Sequence, residues 1–292
     1  EPDAFGYRYA DSNEAHGPVY QFVDIAGRGH PLALADDDFR GIPIGFEFMF
    51  YGVSPSDPNF YDTVFVGSNG FLSFESGWND PSPDPALPDA TLPNNVVAAM
   101  WDDLTAGAAG MIYYQSFDVC PYNPHGDAMQ ACLVVQYDQY EVAAGGMAGT
   151  FQIILLRGGS ILLQFADAGD ALGAGATTGI ENRLGLAGLT YGPDLSDGLA
   201  ICFAYPGQWP DCAPSDIPWL ALTPMTGEVA ADGTLLMTVT FDASVLEVYE
   251  PGTYTGELWV VSEDPVIALQ TLPVTLTVSM FNGRLEGTVS GW

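Results

Sequence analysis

Two runs of aspartate are the residues best suited to chemistry in this sequence: Asp36, Asp37 and Asp38, and then Asp102 and Asp103. Clustered carboxylates supply the hard oxygen ligands that calcium prefers, so these five acids are candidates for a calcium site. No Asp-x-Asp-x-Asp-Gly loop is present, and solvated turn formers are the alternative. Asp102 and Asp103 are not expected to form a glycosidase pair, because adjacent residues on a strand point to opposite faces.

No other constellation of catalytic residues is recognisable. The histidines His16, His30 and His125 lie among glycine, proline and aspartate, and we expect them in loops. A serine nucleophile elbow requires Gly-x-Ser-x-Gly, whereas Gly67-Ser-Asn-Gly is typical of a turn. We therefore predict that the protein is not an enzyme and needs no cofactor, with calcium as the one candidate.

The four cysteines form two close pairs, Cys120 with Cys132 and Cys202 with Cys212. Pairing of neighbours is the simplest of the three connectivities that four cysteines allow. Their spacing fits no zinc template. Disulfides imply an oxidising compartment, and the chain starts at Glu1 without an apolar leader, as a mature secreted protein would. We expect an extracellular or cell-surface protein.

The charge balance excludes several partners. The chain has 37 acidic and 6 basic residues, all of the latter arginine, and a net charge of −31. Such a surface repels nucleic acid and anionic lipid, so neither is expected as a partner. No apolar run approaches the roughly 20 residues of a membrane helix, and we expect no membrane insertion. Divalent cations or cationic polymers are compatible partners, although the acidity is equally explained by solubility.

Turn residues and short apolar runs predict an all-β chain. The 34 glycines and 22 prolines separate β-branched and aromatic segments. Asn69-Gly70 predicts a hairpin turn, and Gly158-Gly159 predicts a two-residue hairpin turn between two strands. The stretch Asn95–Met100 is the one place that suggests a helical turn, and residues 77–95 are expected to cross between sheets as an extended surface loop.

The strand rhythm breaks at residues 206–216, which predicts two β-sandwich domains, the second small and immunoglobulin-like. We place the first domain at residues 1–208, the second at 216–280 and a strand-like tail at 281–292.

The first domain resembles the nidogen-type extracellular domain over about 160 residues. The resemblance rests on Ile44-Gly-Phe-Glu-Phe-Met-Phe-Tyr-Gly, Val64-Phe-Val-Gly-Ser-Asn-Gly-Phe-Leu-Ser-Phe, Asn94-Asn-Val-Val-Ala-Ala-Met-Trp-Asp-Asp-Leu, Thr150-Phe-Gln-Ile-Ile-Leu and Thr178-Gly-Ile-Glu-Asn. It implies a non-catalytic sandwich of matrix and adhesion proteins, with no active site to transfer.

The second domain resembles a BACON-type immunoglobulin-like repeat of bacterial secreted proteins. The matching stretches are Pro218-Trp-Leu-Ala-Leu-Thr-Pro, Thr238-Val-Thr-Phe-Asp-Ala, Pro251-Gly-Thr-Tyr-Thr-Gly-Glu-Leu and Pro273-Val-Thr-Leu-Thr-Val. Such repeats serve as spacers or binding modules, which is a prior and not a site assignment.

Together these features predict a structural subunit of an extracellular filament or surface layer, whose partners are other copies of itself joined head-to-tail. The tail resembles the first strand of a further module, and such a strand can add to an open sheet edge of a neighbour. The candidate contact residues are Arg284, Leu285, Thr288, Val289 and Trp292. A tail packed on its own subunit is the alternative for this segment. The alternative function is a monomeric adhesin or carbohydrate-binding module that contacts polysaccharide or matrix.

Overall fold

Every regular element in the described part of the chain is a β-strand, so the all-β prediction is confirmed. The computed structural model describes residues 2–14, 17–52, 59–123, 130–169, 175–206, 219–223, 229, 233–243, 248, 251–261, 269–279 and 285–289, and of residues 257, 259–261, 269–271 and 285–289 it describes the backbone alone. Predictions about His16, His125, Cys212, Arg284 and Trp292 lie outside the described residues. No helix capable of spanning a membrane is found in these ranges.

The chain divides into two compact units, residues 1–214 and residues 215–292. The first unit contains β1 (Arg8–Asp11), β2 (His30–Leu32), β3 (Phe39–Met49), β4 (Phe60–Gly67), β5 (Phe71–Ser73), β6 (Val96–Trp101), β7 (Leu104–Thr105), β8 (Met111–Phe117), β9 (Cys132–Val142), β10 (Met147–Leu156), β11 (Ile161–Asp167), β12 (Thr177–Glu181), β13 (Gly188–Thr190) and β14 (Leu199–Ala204).

These strands form two antiparallel sheets. Sheet A is eight-stranded with the order β1-β14-β11-β10-β9-β8-β2, and β7 pairs with β9. Sheet B is six-stranded with the order β13-β12-β6-β5-β4-β3. The helical turn expected at Asn95–Met100 is wrong, because this segment forms β6 between β5 and β12. Its β-branched pair, Val96 and Val97, suits a strand that is buried on both faces.

The inner faces of the two sheets pack together as one core. Along β3, buried residues alternate with exposed ones, so that Ile42, Ile44, Phe46 and Phe48 point inward. Across the core, the hydroxyl of Tyr137 on sheet A donates to the carbonyl oxygen of Gly67 on sheet B at 2.8 Å. The main hydrophobic cluster therefore joins both sheets into a sandwich.

The hairpin turn predicted at Asn69-Gly70 is confirmed, whereas the two-residue turn predicted at Gly158-Gly159 is wrong. Asn69 and Gly70 do connect β4 to β5, and Gly70 has φ of +78°. Between β10 and β11, however, the N–H of Leu156 donates to the carbonyl of Ser160 at 3.0 Å. The loop thus holds Arg157, Gly158 and Gly159, and only Gly159 needs a positive φ (+95°), which is typical of a three-residue hairpin loop.

An extended segment, residues 19–25, covers the outer face of sheet A, and we call it the strap. Its side chains Val23 and Ile25 are buried against outward-facing residues of β9, β10, β11 and β14. Because β9 and β14 are thereby covered on both faces, β14 is a continuous apolar run and β9 begins with one, residues 132–135.

Three buried glutamines hold the main chain of the strap. Gln136, Gln152 and Gln164 lie directly opposite one another on β9, β10 and β11. Gln164 accepts from the N–H of Gln21 at 2.7 Å and donates to its carbonyl at 2.9 Å. Gln136 accepts from the N–H of Ile25 at 2.7 Å.

Gln152 completes this row in the amide orientation that satisfies its neighbours. Its oxygen accepts from the N–H of Val23 at 3.0 Å and from Gln164 Nε2 at 2.8 Å, and its nitrogen donates to the carbonyl of Val23 at 3.1 Å. The row therefore binds alternate residues of the strap, as a neighbouring strand would.

Residues 77–95, which we call the cap, cover the outer face of sheet B. The prediction that they cross between sheets is wrong, since they connect β5 to β6, which are neighbours in sheet B. Trp78 and Leu87 of the cap pack on Phe71, Val96 and Trp101 of the sheet. Both outer faces of the sandwich are thus covered by irregular segments.

The second unit contains β15 (Leu220–Thr223), β16 (Thr238–Phe241), β17 (Gly252–Val261), β18 (Leu269–Val278) and β19 (Leu285–Val289). β15 pairs with β16, and a three-stranded sheet has the order β17-β18-β19. Trp219, Val274 and Leu276 are its buried side chains among those described. The indole of Trp219 belongs to the core of this unit, whereas the side chain of Trp259 lies outside the described residues.

Candidate functional site

The two aspartate runs come together at one end of sheet B, where β3 begins, β6 ends and β4 turns into β5. Asp36, Asp37 and Asp103 each offer one carboxylate oxygen, and these oxygens lie within 4.8 Å of one another. We call these three residues the acid trio. The sequence analysis named these three residues as calcium candidates. It could not predict that they lie close together, because the two runs are more than sixty positions apart.

Asn69, at the tip of the β4–β5 turn, positions the acid trio. Its side chain is fully buried. Its Nδ2 donates to Oδ1 of Asp37 at 2.9 Å, and its Oδ1 accepts from the N–H of Leu104 at 3.0 Å. One turn residue therefore connects the segment before β3 to the segment after β6.

The remaining two calcium candidates, Asp38 and Asp102, accept hydrogen bonds from the main chain next to them. The carboxylate of Asp38 accepts from the N–H of Phe39 at 2.9 Å, and Oδ1 of Asp102 accepts from the N–H of Asp103 at 2.8 Å. The expectation that Asp102 and Asp103 lie on a strand is wrong, because they form the bend between β6 and β7. Hydrogen bonding to the local main chain explains the bend.

The acid trio could hold a divalent cation, because calcium takes carboxylate oxygens at about 2.3–2.6 Å. Exposed acids also gather in this way without an ion. Partial burial, followed by the charges of Asp37, Asp36 and Asp102, raises the pKa of Asp103. Without a cation the cluster is therefore mutually repulsive.

Replacing Asp103 with asparagine should stabilise the first unit slightly in the presence of a chelator. Asparagine keeps the shape and removes the repulsion, which at a solvent-accessible site is worth a few tenths of a kcal/mol, or about 1 °C in Tm. The control is Asp62→Asn, an exposed acid on β4, which removes the same charge elsewhere. Calorimetry should be repeated with calcium. A calcium-induced rise in Tm that the native protein shows and Asp103→Asn lacks would assign an ion to the acid trio.

A carboxyl group that the sequence analysis missed lies beneath the cap. Glu181, on β12, is fully buried, and its Oε2 accepts from the N–H of Asp89 at 2.9 Å. Burial, and then the charges of Asp84 and Asp89, raise the pKa of Glu181 to about 8, although the Asp89 N–H opposes the shift. The continuous apolar run of β6 was the signal that this face is covered, but nothing local to Glu181 identifies its cover.

One concave site of about 300 Å³ lies between the start of β12 and residues 191–195. Met100, Thr178 and Tyr191 line it, Pro85 of the cap forms one wall, and Asp194 is its one charged lining residue among those described. The hydroxyl of Tyr191 donates to Asp11 at 2.9 Å. The described lining includes no histidine, cysteine or second carboxylate, and hence no nucleophile–base pair.

The other predicted residues are dispersed. Cys120 and Cys132 form a disulfide with an S–S distance of 2.09 Å, the local pairing that the spacing predicts. Cys202 is also disulfide-bonded, while Cys212 lies outside the described residues. The loop expected for His30 is wrong, because this residue begins β2 and its ring lies 5.2 Å from that of Tyr114.

Comparison with known proteins gives one family. The family model described as NIDO related matches residues 7–196, which covers both sheets except the last strand of the first unit. This match ends at residue 196 and does not show the BACON-type resemblance of the second unit, which stays a prediction. No curated protein and no solved structure matches the chain.

Proposed function

Since the chain belongs to the NIDO-related family through residues 7–196, we propose that it is a non-enzymatic structural subunit of an extracellular filament or surface layer. Its partners are other copies of itself, joined head-to-tail by β-strand contacts. A NIDO-related domain with a disulfide between Cys120 and Cys132 marks an extracellular, secreted protein, because such bonds persist in oxidising compartments. Assembly on the cell surface is the finer proposal.

The position of β19 is the observation that carries this proposal. β19 lies at the edge of its sheet, and its backbone pairs with β18 from Val274↔Val289 to Val278↔Leu285. A strand held at an edge by a main-chain ladder can be replaced by the same strand of a neighbour. Repeated in one direction, this exchange does not close on itself and produces a fibre.

In the single chain, β19 pairs within its own subunit, which is the alternative that the sequence left open. The candidate contact residues Leu285, Thr288 and Val289 lie on β19, with only their backbone described. Assembly through the tail therefore requires β19 to leave one β18 and join another. This exchange between subunits stays a prediction.

Contact with a neighbouring subunit would stabilise the second unit by covering its exposed apolar side chains. Few of its described side chains are buried, and Leu236 is 88% exposed, with Leu235 and Val229 also exposed. Contact with another copy would remove such apolar surface from water, at about 25 cal/mol per Å². This favours a part for the second unit in assembly.

Deleting residues 282–292 should convert fibres into single subunits. We expect the full-length protein to sediment as large particles and the deletion to sediment near the 31.1 kDa of one chain. The matched control is deletion of 290–292, which leaves β19 intact. An added peptide of residues 282–292 should bind the shortened protein and slow fibre growth of the native one. Undiminished fibres after the long deletion would refute exchange of β19.

A monomeric adhesin is the second candidate, favoured by the concave site of about 300 Å³ beside Tyr191 and Asp194. Its size is at the lower end of small-molecule pockets. A glycan array, probed with and without calcium, distinguishes the two functions. Selective glycan binding by a protein that remains a 31.1 kDa monomer supports the adhesin.

A further inference from the structure

Four side chains of sheet B hold the main chain of the cap. Nε1 of Trp101 donates to the carbonyl of Asp80 at 3.0 Å, and Oγ1 of Thr177 donates to the carbonyl of Asp84. Oγ1 of Thr190 accepts from the N–H of Leu87 at 2.6 Å and donates to its carbonyl at 2.9 Å.

The fourth attachment, from Glu181 to the N–H of Asp89, is the one made by a titratable side chain. The indole and the two threonine hydroxyls keep their state over the whole accessible pH range. A change of pH therefore acts on the attachment of the cap through Glu181 and the acids around it.

The charged groups that the cap turns toward Glu181 are carboxylates. Asp84 and Asp89 both disfavour a negative charge on Glu181, and Asp80 adds to the repulsion on Asp84. Oδ2 of Asp84 is itself buried without a hydrogen-bond partner in the structure. Ionised Glu181 thus meets two negative neighbours in a site with little water.

The other elements packed around Glu181 supply no compensating cation among the described residues. Its cross-strand partners, Val96 on β6 and Gly188 on β13, are uncharged. Two positions along the chain, Arg183 reaches Glu75 instead, at 3.8 Å and on the surface. Burial is the main cause of the raised pKa of Tyr51, and the charge of Glu181 adds to it. The hydroxyl of Tyr51 donates to Asp3 at 2.9 Å, however, and not to Glu181.

We propose that the cap is a pH-operated cover, which closes over sheet B while Glu181 is protonated and opens when Glu181 ionises. Opening admits water to the carboxylate and separates it from Asp84 and Asp89. It also exposes the aromatic pair of Phe71 and Trp101, whose ring centroids lie 5.0 Å apart and which the closed cap buries almost completely.

We expect the cap to move rather than β12, because β12 is paired within sheet B and the cap is not. β12 is paired on both sides, with β6 and β13, so displacing Glu181 would break sheet B. The cap has no ladder of its own and is held by single side chains, by the packing of Trp78 and Leu87 and, at its last residue, by the N–H of Asn95, which donates to the carbonyl of Asn182 at 3.3 Å. Segments of this kind open locally at a smaller free-energy cost than global unfolding. The pKa of Glu181 is about 8 beneath the closed cap and returns toward its ordinary value of 4.5 when opening exposes the carboxyl, so opening becomes more favourable as the pH rises between these two values.

Hydrogen exchange over residues 80–91, corrected for the intrinsic pH dependence of exchange, tests the proposal. Opening should become up to tenfold more favourable per pH unit between about pH 5 and about pH 8, as for release of one proton, and should level off above about pH 8, where Glu181 is ionised in both states. Glu181→Gln, a neutral isostere that can still accept from Asp89, should keep the low-pH value throughout. Glu47→Gln, an exposed acid on β3, is the matched control and should behave as the native protein.

Two results would overturn the proposal. One is an opening equilibrium of the native cap that does not change between about pH 5 and about pH 8. The other is the same rise in Glu181→Gln as in the native protein. A second variant, Thr190→Val, keeps the test valid if Glu181→Gln does not fold. It removes the hydrogen bonds to Leu87 and so loosens the cap, and it changes no titratable group. It should raise opening by a similar factor at every pH, and the rise should still level off near pH 8. An opening equilibrium that no longer depends on pH in this variant would contradict the role of Glu181.

Discussion

Replacing Gly70 with alanine should destabilise the first unit by about 4 kcal/mol or more, a large part of the net stability of a domain. An added Cβ would lie 2.0 Å from the carbonyl oxygen of Met100 and 2.9 Å from Cδ1 of Leu104. The backbone cannot easily withdraw, because the carbonyl of Gly70 accepts from the N–H groups of Ala99 and Met100 at 3.1 and 3.2 Å. Circular dichroism and urea unfolding measure the loss.

Gly198→Ala is the matched control for this change. Gly198 has φ of +74°, close to the +78° of Gly70, but a Cβ there meets nothing within 4 Å. It should cost about 1–2 kcal/mol, the ordinary penalty of a left-handed conformation. The difference between the two variants isolates the close approach to β6. Equal losses would show that only the dihedral angle matters at Gly70.

The Gly70 turn shows what local sequence can predict. Asn69-Gly70 specifies a tight turn whatever surrounds it, because the positive φ is a property of one residue. That the turn also fixes the end of β6 and connects Asp37 to Leu104 depends on residues about thirty positions away on either side. The hairpin was therefore predictable, whereas its part in building the acid trio was not.

The strap shows where the sequence misleads. Gln136 follows Val135 and precedes Tyr137 on β9, so strict alternation assigns it to a solvent-facing side. It is nevertheless 1% exposed, because a segment more than a hundred residues earlier covers that face. The apolar residues on the same face, Val134 among them, were the available signal, since a strand that is apolar on both faces is covered on both faces.

The sequence also did not predict that residues 77–95 cover the outer face of sheet B. Proline-rich residues 77–95 contain no periodic pattern, which correctly excludes a strand or helix but does not tell a free loop from a bound one. Glu181 stands in the stretch that carries the family resemblance, Thr178-Gly-Ile-Glu-Asn, yet its partner is the N–H of Asp89 on the cap, about ninety positions earlier. Long-range covering of this kind has no local signature.

Replacing Gln152 with leucine should destabilise the first unit by about 2–4 kcal/mol. Leucine fits the volume but leaves the N–H and carbonyl of Val23 unpaired, and Val23 is 5% exposed, so water cannot replace the lost partners without moving the strap. Gln164 also loses its contact with the amide oxygen of Gln152. Urea unfolding gives the global loss, and hydrogen exchange over residues 19–25 gives the local one.

Gln115→Leu is the control, because it makes the same substitution on the same outer face of sheet A. Gln115 lies opposite Val134 on β8 and β9, and its Oε1 is buried without a hydrogen-bond partner. Removing an unsatisfied oxygen should be neutral or stabilising, within about 1 kcal/mol. If both variants lose the same stability, the glutamine row does not hold the strap through hydrogen bonds. If only Gln152→Leu loosens residues 19–25, the strap belongs to the sheet as an added strand does, although side chains replace its ladder.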